Sequence, residues 1–401
     1  MTTEYRAPRN RAELDDTIAC CIRAFGGSES IAHLFTNIVN EDPWLDLNNT
    51  RACFLNGRAV SVVQIFDRPM RIGDAVVRMG GVGSVGTDPA YRRTGHSSEV
   101  LRDTARYMRS SGYDLSILGT GIQSHYARAG WVMYPTYSMR LTLPDTLPAV
   151  EAAYEITPCT LEKDLPALQH IYDQFNAGRS GTTVRTEQYW KNQPKWRGYD
   201  PSMFWSASQN GTAVAYLKAG KWEIRELGYV QGAEGAALAL LAHLFRQAKD
   251  NGVNEIHAPC PSACRRLFET LGCRVSRRES NHTMILITNF TSLLAKLAPA
   301  LAARLNPSTF AGWSGSIKIQ YEAGAQALEI DRGQIRLISE PQDATISLYL
   351  SQTQLLKLIL SNMSAEQVAF SNDLQLDTQA LGLLDILFPP GELFMWGTDG
   401  F

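Results

Sequence analysis

Two nine-residue stretches, HYARAGWVM at 125–133 and LFETLGCRV at 267–275, are laid out alike. Each reads as a short helix that ends at a glycine and runs into a strand. What precedes them is alike too: a strand, a longer amphipathic helix, then another strand. A chain that repeats this order must build mixed sheets with helices packed on them, an α/β architecture made twice. The repeat lies in the order of elements and is weak in the letters.

Hydrophobic spacing sets those elements. Leu14, Ile18, Ile22 and Phe25 share one face of a helix over 11–25, and a second short helix is predicted over 30–39. Strands are predicted at 52–55, 60–66 and 75–85, with turns at Asn56-Gly57 and Gly73-Asp74. A helix over 97–111 buries Val100, Leu101, Ala105 and Met108. Strand 115–118, a short helix near 124–129 and strand 139–143 complete the section. After a Pro144–Pro148 linker, the second section offers helices at 161–175, 235–248 and 263–271, and strands at 213–217, 223–228, 255–258 and 284–287. The third reads as α+β: helices at 293–305, 352–360 and 378–388, strands at 317–321, 327–330, 334–338 and 344–350. The predicted domains are therefore 1–148, 149–289 and 290–401.

Bulk properties exclude several classes. At 401 residues the chain exceeds what one core usually supports. Its 44% hydrophobic and 19% charged content is that of a globular protein. A net charge of −2 supplies no basic stripe, so no nucleic-acid partner is expected. The seven cysteines are odd in number and scattered, which fits a reducing, cytoplasmic compartment better than a disulfide framework. His257, Cys260 and Cys264 loosely resemble a metal cluster, but no second ligand pair at structural-zinc spacing accompanies them, and no metal is expected. The N-terminal MTTEYRAPRN has no apolar signal region. Lys296, Pro299 and Arg304 break the apolar run at 293–305, so no membrane span is expected.

Chemistry concentrates in GSVGTDPAYRRTGHSSEVLRD, residues 83–103. A strand ends at Asp88-Pro89, two arginines and Gly95 follow, and an amphipathic helix begins. The junction suits an anion held by backbone N–H groups at a helix N-terminus. Gly95 permits close approach, Ser97 and Ser98 suit the helix start, and Arg92 and Arg93 add fixed charge. A plain surface turn would use the same residues.

This junction resembles the cofactor motif of the GCN5-related N-acetyltransferase (GNAT) superfamily, Gln/Arg-x-x-Gly-x-Gly/Ala after the fourth strand, matched here by Arg92-x-x-Gly95-x-Ser97. Ser97 departs from the usual small apolar residue. The whole chain is similar to the enhanced intracellular survival (Eis) family. The resemblance implies tandem GNAT-fold domains, the first active and the second degenerate, followed by a sterol-carrier-protein-like α+β domain. It also implies acetyl-CoA as co-substrate, a small-molecule or peptidyl amine as acceptor, and a homo-hexamer. Val85, Gly86 and Thr87 would pair their backbone with the pantetheine arm, and Arg93, Thr94, Gly95, His96, Ser97 and Ser98 would hold the pyrophosphate. Gly121 and Ile122 stand where the family usually has Ser-Glu, so only their backbone carries over. Tyr126 falls on the general acid, and the α-carboxylate of Phe401 on the general base.

Those roles fit the chemistry. Thioester aminolysis needs a base to free the amine and an acid for the leaving thiolate. A phenol near pKa 10 can protonate a thiolate of pKa near 8.5. On residue type alone Tyr126 could equally be an aromatic packing a short helix on its sheet. His125 is its rival, but neighbours on a helix point about 100° apart, so one of the two faces the sulfur. His96 could be a base, an anion donor or a solvated loop residue. In the second section the matching stretch ELGYVQGAEGAALALL, 226–241, keeps Gly232 and Gly235, lacks the arginines and adds Glu234, which implies a structural half. Asp399 and Glu29 are the acids available to attract an amine. Where aminoglycoside-modifying relatives place an acid, this chain has Phe25-Gly26-Gly27, which weakens that specificity. Trp131, Tyr134 and Tyr137 are either acceptor-pocket walls or core. Two functions follow: an N-acetyltransferase, or a non-catalytic acyl-CoA-sensing or lipid-binding protein on the same scaffold.

Overall fold

A computed structural model describes residues 2–150, 153–197, 199–339, 341, 343–360 and 362–401. The first section contains β1 (Thr3–Arg6), α1 (Arg11–Ala24), α2 (Glu29–Asn40), β2 (Thr50–Leu55), β3 (Arg58–Ile72), β4 (Ala75–Thr87), α3 (His96–Ser110), β5 (Leu115–Gly119), α4 (Gln123–Ala127), β6 (Val132–Met133) and β7 (Thr136–Thr142). The second contains β8 (Glu155–Pro158), α5 (Leu161–Asn176), α6 (Glu187–Asn192), β9 (Phe204–Gln209), β10 (Thr212–Gly220), β11 (Glu223–Tyr229), α7 (Glu234–Asp250), β12 (Glu255–Ala258), α8 (Arg265–Thr270), β13 (Arg274–Ser280) and β14 (Thr283–Ile287).

Two seven-stranded sheets result, ordered β1-β2-β3-β4-β5-β14-β6 and β8-β9-β10-β11-β12-β7-β13. The orders correspond place by place, and the two echoing nonapeptides lead into the edge strands β6 and β13. In the sixth place each sheet holds a strand from the other section. β14 lies between β5 and β6, with Ile285 opposite both Ile117 and Val132. β7 lies between β12 and β13, with Leu141 opposite Ile256 and Val275. The strand predicted to close the first section therefore belongs to the second sheet, and the strand predicted to close the second belongs to the first. Met139, Leu141, Met284, Ile285 and Leu286 are all buried. An apolar strand satisfies either sheet equally well, so its periodicity does not say which one it joins.

The strands absent from the sequence reading include β1, β8 and β9, all at or next to a sheet edge. Of β13 only the entry after LFETLGCRV was read: RVSRRES is exposed over most of its length and lacks the buried alternation that marks a strand.

The third section holds α9 (Phe290–Leu305), β15 (Ser314–Tyr321), β16 (Gly324–Asp331), β17 (Gln334–Ile338), β18 (Ile346–Tyr349), α10 (Gln352–Ile359), α11 (Ala365–Ser371) and α12 (Thr378–Leu387). Its sheet runs β17-β16-β15-β18. Asn289 caps α9 by accepting from Ser292 N. Leu293, Leu297 and Leu301 of α9 share one core with Ile72, Val77 and Met79 of the first sheet and with Ile317 and Ile330 of the third. This helix thereby fastens the third section to β4, the strand on which the candidate site is built. Among the described residues no helix is long and apolar enough to cross a membrane.

Candidate active site

β4 and β5 run parallel and pair only from Met79 opposite Leu115 to Val82 opposite Leu118. Beyond that point β4 keeps its antiparallel partner β3, with Gly86 opposite Val62, but has no partner on the β5 side. A register shift accompanies the change, and Ser84 adopts a left-handed φ of 47°. The strands splay into a cleft whose β4 edge, Gly83 to Thr87, is free to pair with an extended ligand. Gly86 has a second reason to be glycine: a methyl there would lie 3.0 Å from the Ala24 Cβ and 3.2 Å from the Cys21 Cα, so α1 packs directly on it.

Below the cleft, Gly95 starts α3 in the left-handed region at φ 88°, with no side chain capping the helix. Glu99 N already donates to Gly95 O, so the N–H groups before it are the unpaired ones of the first turn. A cavity of about 290 Å³ opens there, lined among others by Arg92, Arg93, Gly95, Ser97 and His125. Arg93 is exposed in a left-handed conformation, φ 64°. Arg92 is partly committed elsewhere, donating from Nη2 to Ala24 O at 2.7 Å. Thr94 Oγ1 donates to Tyr91 O, which closes the turn. The His96 ring turns inward, its Nδ1 2.8 Å from the Tyr5 hydroxyl and 3.4 Å from Cys53 Sγ. Its side chain thus ties α3 to β1, and the residue also lines this cavity. Ser97 Oγ and His125 Nε2 lie 2.9 Å apart, joining α3 to α4.

Tyr126 sits on α4, 9% exposed, in the core cluster with Val82, Leu118 and Trp131, and Val85 packs against that cluster. Burial raises its pKa above the ordinary phenol value, and a hydrogen bond with Thr120 partly opposes this. Burial and then Arg128 lower the pKa of His125, which favours its neutral form. His125 lines the cavity at the start of α3, and the two rings meet edge to face, centroids 5.3 Å apart. Gly121 is exposed, and Ile122 is 67% exposed, an apolar side chain left open beside the cleft. Ile122 N donates to Thr120 Oγ1.

The chain terminus reaches this cleft from the far side. Leu393 bridges Ser180, and Phe394 N donates to Ser180 O. Trp396 is fully buried in the second section's core, its indole N–H donating to Asn176 Oδ1. Thr398 donates to Glu226 Oε2 at 2.7 Å, Arg185 Nε to Asp399 Oδ1 at 2.8 Å, and Gln193 Nε2 to Thr398 O. Arg197 Nε then donates to Gly400 O. Phe401 lands on β4, its ring stacked near Phe66 with centroids 5.9 Å apart and planes at 24°. A methyl at Gly81 would lie 2.5 Å from that ring, and one at Gly83 would lie 2.9 Å from the carboxylate carbon. The two glycines form the seat of the terminus. Gly81, Gly83, Arg185 and Arg197 had no signal in the sequence, because each acts on a residue remote in the chain.

Several expectations change here. Asp399 is 1% exposed and held by Arg185 and the Tyr172 hydroxyl, so it is no acceptor-attracting acid. Trp131 and Tyr134 are core, donating to Ser116 Oγ and Leu360 O. Tyr137 alone of the three lines the cavity beside Phe401. Glu29 is exposed at the start of α2. At the matching place of the second section, α7 begins under Tyr154, whose hydroxyl would lie 2.8 Å from a methyl on Gly235. An aromatic side chain covers the turn that stands open at Gly95.

Residues 4–133 match the acetyltransferase (GNAT) domain family, so the first section carries a GNAT domain. The whole chain also has the fold of several solved structures, each covered over its full length as this chain is. They are a GCN5-related N-acetyltransferase from Anabaena variabilis (16% identity, TM-score 0.73), a conserved Enterococcus faecalis protein (18%, 0.76) and Eis1 from Mycobacterium abscessus (17%, 0.66). At such identities the likeness is one of fold. No curated protein matches the chain.

Proposed function

We propose that the protein is an acetyl-CoA-dependent N-acetyltransferase that acylates a primary amine by direct attack in a ternary complex. The observation that carries this reading is the seating of the Phe401 carboxylate on Gly83, where β4 leaves β5. The free β4 edge at Val85, Gly86 and Thr87 would bind the pantetheine amides as an added strand does. The uncapped first turn of α3, with Arg93 beside it, would hold the pyrophosphate, and the exposed Ile122 would be covered by the bound molecule. The Phe401 carboxylate takes a proton from the incoming ammonium, directly or through a water, so that the amine attacks the thioester carbon. Tyr126, kept protonated by burial, gives its proton to the departing thiolate. The second section, its helix turn covered by Tyr154, binds no cofactor. Its part and that of the third section is to deliver the terminus.

Thiol titration of CoA release over a panel of amines tests the reading. Release above background with at least one amine is expected, and its loss when residues are appended after Phe401. Acetyl-CoA binding without release for any amine would leave an acyl-CoA-binding protein instead. Full activity in the extended protein would remove the base role from the terminus.

A further inference from the structure

The cavity next to Phe401 has about 400 Å³ and is walled by the end of β5, the start of β7, the β13–β14 turn and the tail. None of its lining side chains is charged: the walls are made by residues such as Leu118, Tyr137, Pro259, Leu393 and Met395. Among the described residues, the one charge at its lining is the Phe401 carboxylate. Asp399, the acid nearest in sequence, is withdrawn into the pair with Arg185. On the far side of Tyr137 the adjoining pocket is lined by Arg265, paired with Glu269, by Arg277, 4.0 Å from Glu279, and by Glu392, and Arg277 stacks on the Tyr137 ring at 3.6 Å. Glu392 already accepts from Ser262 N and Oγ.

A site so composed offers one anion to one ammonium and an apolar wall to the rest of the molecule. A second ammonium would be desolvated with no carboxylate side chain at the cavity wall to meet it. We propose, building on the acetyltransferase reading above, that the acceptor is a primary monoamine with an aromatic or alkyl body, and that polyamines and aminoglycosides are poor acceptors. Aromatic bodies suit the cavity further because Tyr137 and the Phe401 ring offer faces for stacking.

The test compares kcat/KM for phenethylamine, hexylamine, spermidine and kanamycin, with acetyl-CoA affinity measured separately by calorimetry. The two monoamines are expected to exceed the two polycations by about tenfold or more, the factor set by about 1.4 kcal/mol of discrimination. Ser280→Asp, which puts a carboxylate at the cavity wall, is expected to shift the phenethylamine-to-spermidine ratio toward spermidine. Equal or better turnover of the polycations would overturn the acceptor class while leaving the acetyltransferase intact. No turnover of any of the four, with acetyl-CoA still bound, would overturn the acceptor class as well. Hydrolysis or transfer absent with every amine tried, polycations and peptides included, would sink the underlying reading too.

Discussion

Gly83 and Gly81 show how much a single missing side chain can decide at the residue scale. A Cβ at Gly83 would meet the Phe401 carboxylate carbon, which is chain backbone and cannot rotate away. Gly83→Ala is therefore expected to shift the terminus by a fraction of an ångström to an ångström. A misplacement of that size costs about 100-fold in rate. Acetyl-CoA affinity should change little, so kinetics and calorimetry on the same protein separate displacement from misfolding. Tyr126→Phe removes only the hydroxyl and is expected to lower kcat about 10²–10⁴-fold. His125→Ala serves as the control, and a larger loss there would exchange the two roles. The pH dependence has a definite sign. An acid must be protonated to act, and burial raises the Tyr126 pKa. The alkaline limb due to Tyr126 should then lie above pH ~10, the ordinary phenol value.

On the scale of elements, the working unit is a strand, a left-handed glycine and a helix start. β4 loses its β5 partner at Val82, and α3 begins uncapped at Gly95, so unpaired backbone edges from two elements face the same cleft. The two arginines divide the labour unequally. Both are exposed, but Arg92 is held by Ala24 O at the end of α1, and among the described residues Arg93 has no such anchor. Arg93→Ala is expected to weaken acetyl-CoA about tenfold, the low end for a charge-assisted hydrogen bond. Arg92→Ala should weaken it less. Calorimetry on the two single variants ranks them, and the reverse order would reassign the phosphate contact. This unit was legible in the sequence because all its parts lie within residues 83–103.

At the scale of the molecule, the third section's tail crosses the second section's core to end on the first section's β4. Arg185, Glu226, Thr398 and Asp399 form a buried network between the second section and the tail. Lys218 lies 3.5 Å from Glu226, its ammonium over the Trp190 ring. Burial opposes the charge on Glu226, but Arg185 and Lys218 outweigh it and hold its pKa well below the ordinary 4.5. A carboxylate whose pKa is depressed on folding contributes stability that is present above its unfolded pKa. That contribution is lost as pH falls below about 4.5 toward the folded value. Urea unfolding followed by Trp fluorescence is expected to show a lower midpoint at pH 4 than at pH 7. Glu226→Gln should flatten that difference and cost about 3–5 kcal/mol at neutral pH, because Arg185 and Lys218 lose a buried partner. An unchanged pH slope in the variant would show that other carboxylates set it.

Local pattern alone determined most helices, the central strands, the glycine turn before α3 and the short helix that carries Tyr126. Each is written in residues close together, where apolar period, capping chemistry and glycine conformation act within a turn or a strand. The exchange of β7 and β14 was not legible, since an apolar strand carries no mark of the sheet that will bury it. Neither were the edge strands β1 and β8, at four residues each too short to show a period. The seat of Phe401 joins Gly81 and Gly83 to the last residue of the chain, and the cavity beside it draws its walls from five separated segments. Contacts of that kind leave no periodic trace, because they are fixed by which surfaces remain free once the three sheets have packed. Asp399 makes the point in reverse: near Phe401 in sequence, it is removed from the cleft by an arginine more than two hundred residues away.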